Sequence, residues 1–141
     1  FIITCGSHLT PGKSNHAGQF VDIMPTFAEL AGVEAPANDG ISLVPTLTGG
    51  EPPKHEYLCG EFPGGKGWVA VRWGEWKGIV KNVHKGNNVM ELYDLHTDMR
   101  ETTDVAAQYP EVVEQMWKFI KESHQPVPND VQRYKMNVNF P

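Results

Sequence analysis

The sequence is short of the features that usually announce a chemistry. Only two cysteines occur in 141 residues, Cys5 and Cys59, too few for a disulfide framework or a thiolate metal cage. One disulfide or two buried thiols both remain open, and because a domain of this size does not need a bridge, buried free thiols are the favoured expectation. Positive charge is scarce as well. Twelve Lys and Arg stand against 17 Asp and Glu, a formal net charge of −5, and no basic stripe is dense enough to collect phosphates. That argues against a partner made of nucleic acid or anionic membrane. No apolar run approaches the roughly 20 residues that cross a bilayer. An initiating methionine, a leader and a helix cap are also missing from the start, Phe1-Ile2-Ile3-Thr4-Cys5. The chain opens as though inside a β-strand and reads as a piece of a larger protein.

What is present is an ordinary globular composition, 40% hydrophobic and 21% charged, enough for a real core. Residues 1–5 are apolar and β-branched and predict a buried strand. Pro11-Gly12 marks a loop. A helix is expected from Asp22 to Ala31, with Asp22 capping its amides, Pro25 tolerated in the first turn and Gly32 ending it left-handed. Ile23, Phe27, Leu30 and Ala31 form its expected buried face. From Val33 to Pro53 the Pro and Gly content predicts a connection with no more than a turn near Val44–Leu47. Four strands follow, at Tyr57–Phe62, Trp68–Trp73, Trp76–Lys81 and Met90–Leu95. Gly74-Glu75 between two tryptophans is a type II′ hairpin loop, and Gly86-Asn87-Asn88 marks another turn. Pro110 opens a helix to Ser123, with acidic residues in its first turn and Val112, Val113, Met116, Phe119 and Ile120 on one face. Beyond His124 an extended arm is expected. The domain reading is 1–50, 51–125 and a tail over 126–141.

The chemistry-bearing residues exclude more than they assign. His8, His16, His55, His84, His96 and His124 never fall at metal-ligand spacing. Neither cysteine carries the local signature of a Cys–His nucleophile. Glu61 with Glu91 or Asp94 is a conceivable carboxylate pair, though such residues are more often surface groups. Gly64-Gly65-Lys66-Gly67 lacks the spacing and hydroxyl of a phosphate loop. The most informative stretch is Glu61-Phe62-Pro63-Gly64-Gly65-Lys66-Gly67-Trp68, between two strands. Lys66 can pair with an anion, Trp68 can stack on a sugar ring, and Glu61 can take sugar hydroxyls. The plainer alternative is a hairpin loop with ordinary polar decoration. Arg72 could contact an anion, but in a strand of alternating exposure a structural ion pair is the favoured expectation.

Several segments, taken in order, resemble the C-terminal part of the arylsulfatase-type sulfatases. They are Phe20-Val21-Asp22-Ile23-Met24-Pro25-Thr26 with Leu30-Ala31-Gly32, then Asp39-Gly40-Ile41-Ser42-Leu43-Val44-Pro45. Ala70-Val71-Arg72-Trp73-Gly74-Glu75-Trp76-Lys77 and Glu91-Leu92-Tyr93-Asp94-Leu95 follow, with Asp98 and Glu101-Thr102 after them. The resemblance covers about residues 1–123. It implies an α+β fold: a small four-stranded antiparallel sheet packed by a C-terminal helix, preceded by a strand-helix remnant of an alkaline-phosphatase-like α/β domain.

The resemblance also implies hydrolysis of sulfate esters, by a formylglycine nucleophile with a calcium ion, on a sulfated carbohydrate or aryl sulfate. The formylglycine precursor motif, Cys/Ser-x-Pro/Ala-x-Arg, does not occur at Cys5, at Cys59 or at any serine. The calcium ligands and catalytic lysines and histidines are expected upstream, so the isolated chain is expected to be inactive. Its contribution is expected to be scaffold and substrate selection, through Lys66, Trp68 and Glu61, with His16 on the loop before the helix. The family points to a periplasmic or extracellular setting. An exposed first strand and helix face would favour a homodimer. The competing reading is a non-catalytic carbohydrate-binding or assembly module.

Overall fold

The computed structural model describes residues 2–4, 9, 11–51, 53–125 and 141. The chain divides into two compact units, Phe1–His55 and Glu56–Pro141. Cys5 and the expected tail over 126–140 lie outside the described residues.

In the first unit, Phe20–Asp22 is a 3-10 turn that leads into α1, Ile23–Leu30. The end of α1 follows its sequence signal. Gly32 sits at φ +69°, its amide bonds to the Glu29 carbonyl, and the Val33 amide bonds to Ala28. This 6→1 and 5→2 pair closes the helix on a left-handed glycine. The start does not follow the prediction: Asp22 makes no side-chain bond to the amides of α1. Its carboxylate turns instead to three other donors, the Gln19 amide at 2.7 Å, the Ile41 amide at 2.8 Å and His55 Nε2 at 2.7 Å.

Thr26, one turn on, donates to the Asp22 carbonyl at 2.5 Å and accepts from the Leu43 amide at 2.8 Å. Two buried polar side chains therefore tie α1 to the segment 41–43, which leads into the single-turn α2, Val44–Leu47. Gly40 is required by the same close approach, since a Cβ there would lie 2.1 Å from the Val21 carbonyl oxygen.

The face of α1 expected to be buried is not. Phe27 and Leu30 are exposed, and Asp22 and Thr26 are the buried positions. The polar residues are drawn inward because they supply the acceptors and donors that the 41–43 backbone needs. The strand predicted over 1–5 is also absent from its described part: residues 2–4 carry no regular structure and Ile2 is 95% exposed. A strand is held by its ladder, and the described ladder contains four other strands only.

The second unit is that ladder and a helix. β1 Leu58–Phe62, β2 Trp68–Trp73, β3 Trp76–Lys81 and β4 Met90–Asp94 form one antiparallel sheet in sequence order. Trp73 pairs with Trp76 across Gly74-Glu75, and Gly74 takes φ +57° as a type II′ loop requires at its first position. After β4, α3 runs over Pro110–Ser123. Val112, Met116, Trp117, Phe119 and Ile120 of α3 pack with Val69, Val71, Val80, Met90 and Leu92 of the sheet in one core. Each such side chain fully buried is worth about 1.5–3 kcal/mol. Trp117 joins this core although the sequence stripe did not include it. No helix among the described residues is long and apolar enough to cross a membrane.

Candidate functional site

The register of the β1–β2 hairpin decides which loop residues face which way. Side chains alternate along a strand, and Val69 and Val71 point into the core under α3. Glu61 is the cross-strand partner of Val69, and Phe62 that of Trp68. Glu61 therefore lies on the helix side, whereas Phe62 and Trp68 stand together on the opposite face, 59% and 48% exposed.

Glu61 is held where it lies. Its Oε1 is 2.7 Å from Nδ1 of His124, just past the end of α3, and Ser123 Oγ donates to the Tyr57 hydroxyl at 3.1 Å. Glu91 and Asp94 belong to β4, at the far edge of the sheet from β1, so no carboxylate pair with Glu61 forms.

The turn itself runs Gly64-Gly65-Lys66-Gly67, closed by the Gly67 amide on the Gly64 carbonyl at 3.1 Å. Gly65 has φ +63° and Lys66 is not left-handed, the type II′ pattern again. This places Lys66 at the tip, exposed, and its ammonium makes no hydrogen bond or ion pair among the described residues. Three polar side chains on the Trp68 face are already engaged with one another. Lys81, cross-strand from Trp68, donates to Glu91 Oε2 at 2.6 Å, and the Tyr93 hydroxyl donates to the same oxygen at 2.6 Å. Those two hydrogen bonds hold the Glu91 carboxyl below its ordinary range against the effect of burial. The bond to Glu91, helped by burial, pushes the Tyr93 phenol up to about 12.

Lys66 is thus a cation left available among the described residues, on the turn that joins the exposed Phe62 and Trp68. An arrangement of that kind can hold an anionic group next to a flat apolar ring face. His84, which carried no signal in the sequence, braces the loop. Its Nε2 lies 2.8 Å from the Pro63 carbonyl, and its amide bonds to the Lys66 carbonyl at 3.1 Å.

The remaining candidates are placed as follows. His16 belongs to the first unit, half-buried, and its Nε2 is buried without a hydrogen-bond partner among the described residues. Among the described residues Arg72 makes no ion pair; its Nε donates to the Gly74 carbonyl at 3.1 Å, bracing the hairpin loop that follows β2. Cys59 is a free thiol against the core, and burial pushes it up to about 11, which keeps it protonated and a poor nucleophile.

The choline-sulfatase of Rhizobium meliloti (strain 1021) is 34% identical over 111 residues, 74% of this chain and 19% of the relative. A solved 2-O GAG sulfatase superposes with a TM-score of 0.62 at 27% identity, over 72% of this chain and 23% of that one. The chain belongs to the sulfatases, as a C-terminal portion. A further structure, solved in complex with its substrate D-glucosamine-2-N,6-O-disulfate, gives a TM-score of 0.59 at 25% identity, covering 80% of this chain and 24% of that one. No family model matches. The α+β fold, a four-stranded antiparallel sheet with a C-terminal helix, is the one these sulfatases share with it. The chain spans about a fifth of the curated relative's length.

The calcium ion and formylglycine implied for a sulfatase do not fit the residues described here. No group of three or more His, Cys, Asp or Glu among them is placed to hold a metal ion. Cys59 sits within a strand, protonated and followed by Gly-Glu-Phe-Pro.

Proposed function

We propose that this chain supplies the scaffold and a substrate-selecting loop to a sulfuric-ester hydrolase acting on sulfated carbohydrate. The observation that carries the reading is the 61–68 hairpin, which presents Lys66 and Trp68 outward on a braced turn. Lys66 supplies a cation for a sulfate or carboxylate on the sugar, and Trp68 a face for its ring. Glu61, on the helix side of the sheet with one oxygen held by His124, and His16 of the first unit, whose Nε2 has no hydrogen-bond partner among the described residues, are separate candidates for substrate contact. Relatives named as sulfatases, one of them solved with a sulfated glucosamine, support the substrate class. Calcium and the formylglycine nucleophile are assigned to the remainder of the full-length enzyme.

Two expectations follow for measurement. In the full-length protein, Lys66→Ala is expected to lower kcat/KM on a sulfated sugar about tenfold, the size of one charge-assisted hydrogen bond. Trp68→Ala should lower it about three- to tenfold, the worth of an aromatic stacking contact. Both should leave kcat/KM on 4-nitrophenyl sulfate, which has no sugar to select, within about twofold of the parent. Equal losses on both substrates would remove the selective role. The 141-residue chain alone is expected to show no turnover of 4-nitrophenyl sulfate even with calcium added, and measurable hydrolysis would overturn that division of labour.

A further inference from the structure

We propose that His84 is a positioning residue for the substrate loop, locking the Lys66 turn in the conformation that meets the sugar. The inference rests on the reading that Lys66 and Trp68 touch substrate. His84 lies in the 3-10 turn Val83–Lys85 that follows β3, and four contacts join this turn to the hairpin. Nε2 of His84 is 2.8 Å from the Pro63 carbonyl oxygen, a group that only accepts, so Nε2 carries the proton. The His84 amide donates to Lys66 O and the Val83 amide to Gly67 O, both at 3.1 Å. The imidazole lies flat against Gly67, where a Cβ would come 3.1 Å from Cδ2, Cε1 and Nε2 alike.

Both sides of the turn are therefore held: Pro63 before it by the ring, and Lys66 and Gly67 by the backbone of the same short segment. Gly67 is required twice over, by φ +73° and by the ring that occupies the place of a side chain. The main chain of Lys66 is fixed while its ammonium is left open. That division is what a binding loop needs to avoid ordering itself at each encounter with substrate. Asn82, directly before the turn, adopts φ +59° and so aims Val83 and His84 back toward the hairpin.

The experiment compares His84→Ala and His84→Gln in the full-length protein. It uses amide hydrogen exchange resolved to peptides over 63–68 and 82–86, together with steady-state kinetics. Gln can place a side-chain N–H near the position of Nε2; Ala cannot. His84→Ala is expected to speed exchange in those peptides about fivefold and to raise KM for a sulfated sugar about fivefold, as loss of one hydrogen bond implies. Its kcat on 4-nitrophenyl sulfate should be unchanged, and His84→Gln should restore most of both losses. Unaltered exchange across β3 and β4 distinguishes a loosened loop from general unfolding.

Unchanged exchange at 63–68 in His84→Ala would overturn the inference. So would faster exchange with an unaltered sugar KM in a protein where Lys66→Ala does raise that KM. If neither Lys66→Ala nor Trp68→Ala moves the sugar kinetics, the substrate reading itself has failed. A positioning role toward substrate then falls with it, whatever the exchange shows.

Discussion

Asp22→Ala is expected to destabilise the Phe1–His55 unit by about 3–5 kcal/mol, because it removes the buried acceptor of three hydrogen bonds. Asp22 is fully buried, and three donors converge on it: the amides of Gln19 and Ile41 and the imidazole of His55. Alanine leaves all three without an acceptor, and each buried donor so orphaned costs about 1–3 kcal/mol. A unit of this size has little stability to spare, so protection of the Ile41 and Leu43 amides should disappear. Asp22→Asn keeps the shape but turns an amino group toward one of these donors, and most of the loss should persist. Wild-type exchange rates at Ile41 in either variant would show that the carboxylate is not what holds the segment.

The same carboxylate fixes a pH dependence whose sign follows from its surroundings. Burial pushes Asp22 up, but the hydrogen bonds from Ile41, Gln19 and His55 outweigh it and hold it below its ordinary value of 3.8. The unfolded chain therefore binds the proton more readily than the folded one. Asp22's contribution is complete above 3.8 and is lost as pH falls through the lower folded value. Corrected for intrinsic exchange rates, protection at Ile41 should be level down to about pH 5 and fall steeply below about pH 4. In Asp22→Asn the acid step should be missing.

Sequence reasoning succeeded where the deciding interaction is local. The Trp73-Gly74-Glu75-Trp76 hairpin needs one glycine at positive φ between two β-forming residues, and β2, β3 and α3 have the ends their turn and cap residues predict. It failed where the partner is distant in the chain. Asp22 looks like a helix cap because caps are common at that spacing, yet its partners Ile41 and His55 lie 19 and 33 residues away. The stripe Ile23–Phe27–Leu30 has a helical period, but periodicity gives a face and not what covers it. His84 had no signal because its partners are the backbone of a turn 21 residues earlier. Glu61 was more accessible to inference: counting alternation from Cys59 puts it on the helix side, away from Trp68.

Phe119→Ala is expected to cost the second unit about 4 kcal/mol, within the range for deleting a buried aromatic. Phe119 is the residue through which α3 grips the β1–β2 side of the sheet. Its ring stacks on Tyr57, just before β1, at 4.1 Å and 21°, and meets the edge of Trp73, at the end of β2, at 5.7 Å and 67°. Truncation loses the transfer term, both aromatic contacts and the packing around the hole they leave. The urea midpoint should fall with little change in slope. Lys118→Ala, one residue away on the exposed side and paired with Glu114 among the described residues, should cost less than about 0.5 kcal/mol.

Phe119→Ala should also reach the binding loop, because the strands that α3 holds are the two that carry the 61–68 turn. The helix end is anchored to β1 and its approach by Ser123 on Tyr57 and His124 on Glu61, so a loosened α3 releases Glu61 as well. The expected signature is sugar kcat/KM that falls more steeply with temperature than in the parent, ahead of global unfolding. A variant that loses about 4 kcal/mol while its sugar kinetics follow the parent up to the melting point would show that the hairpin keeps its shape without the helix.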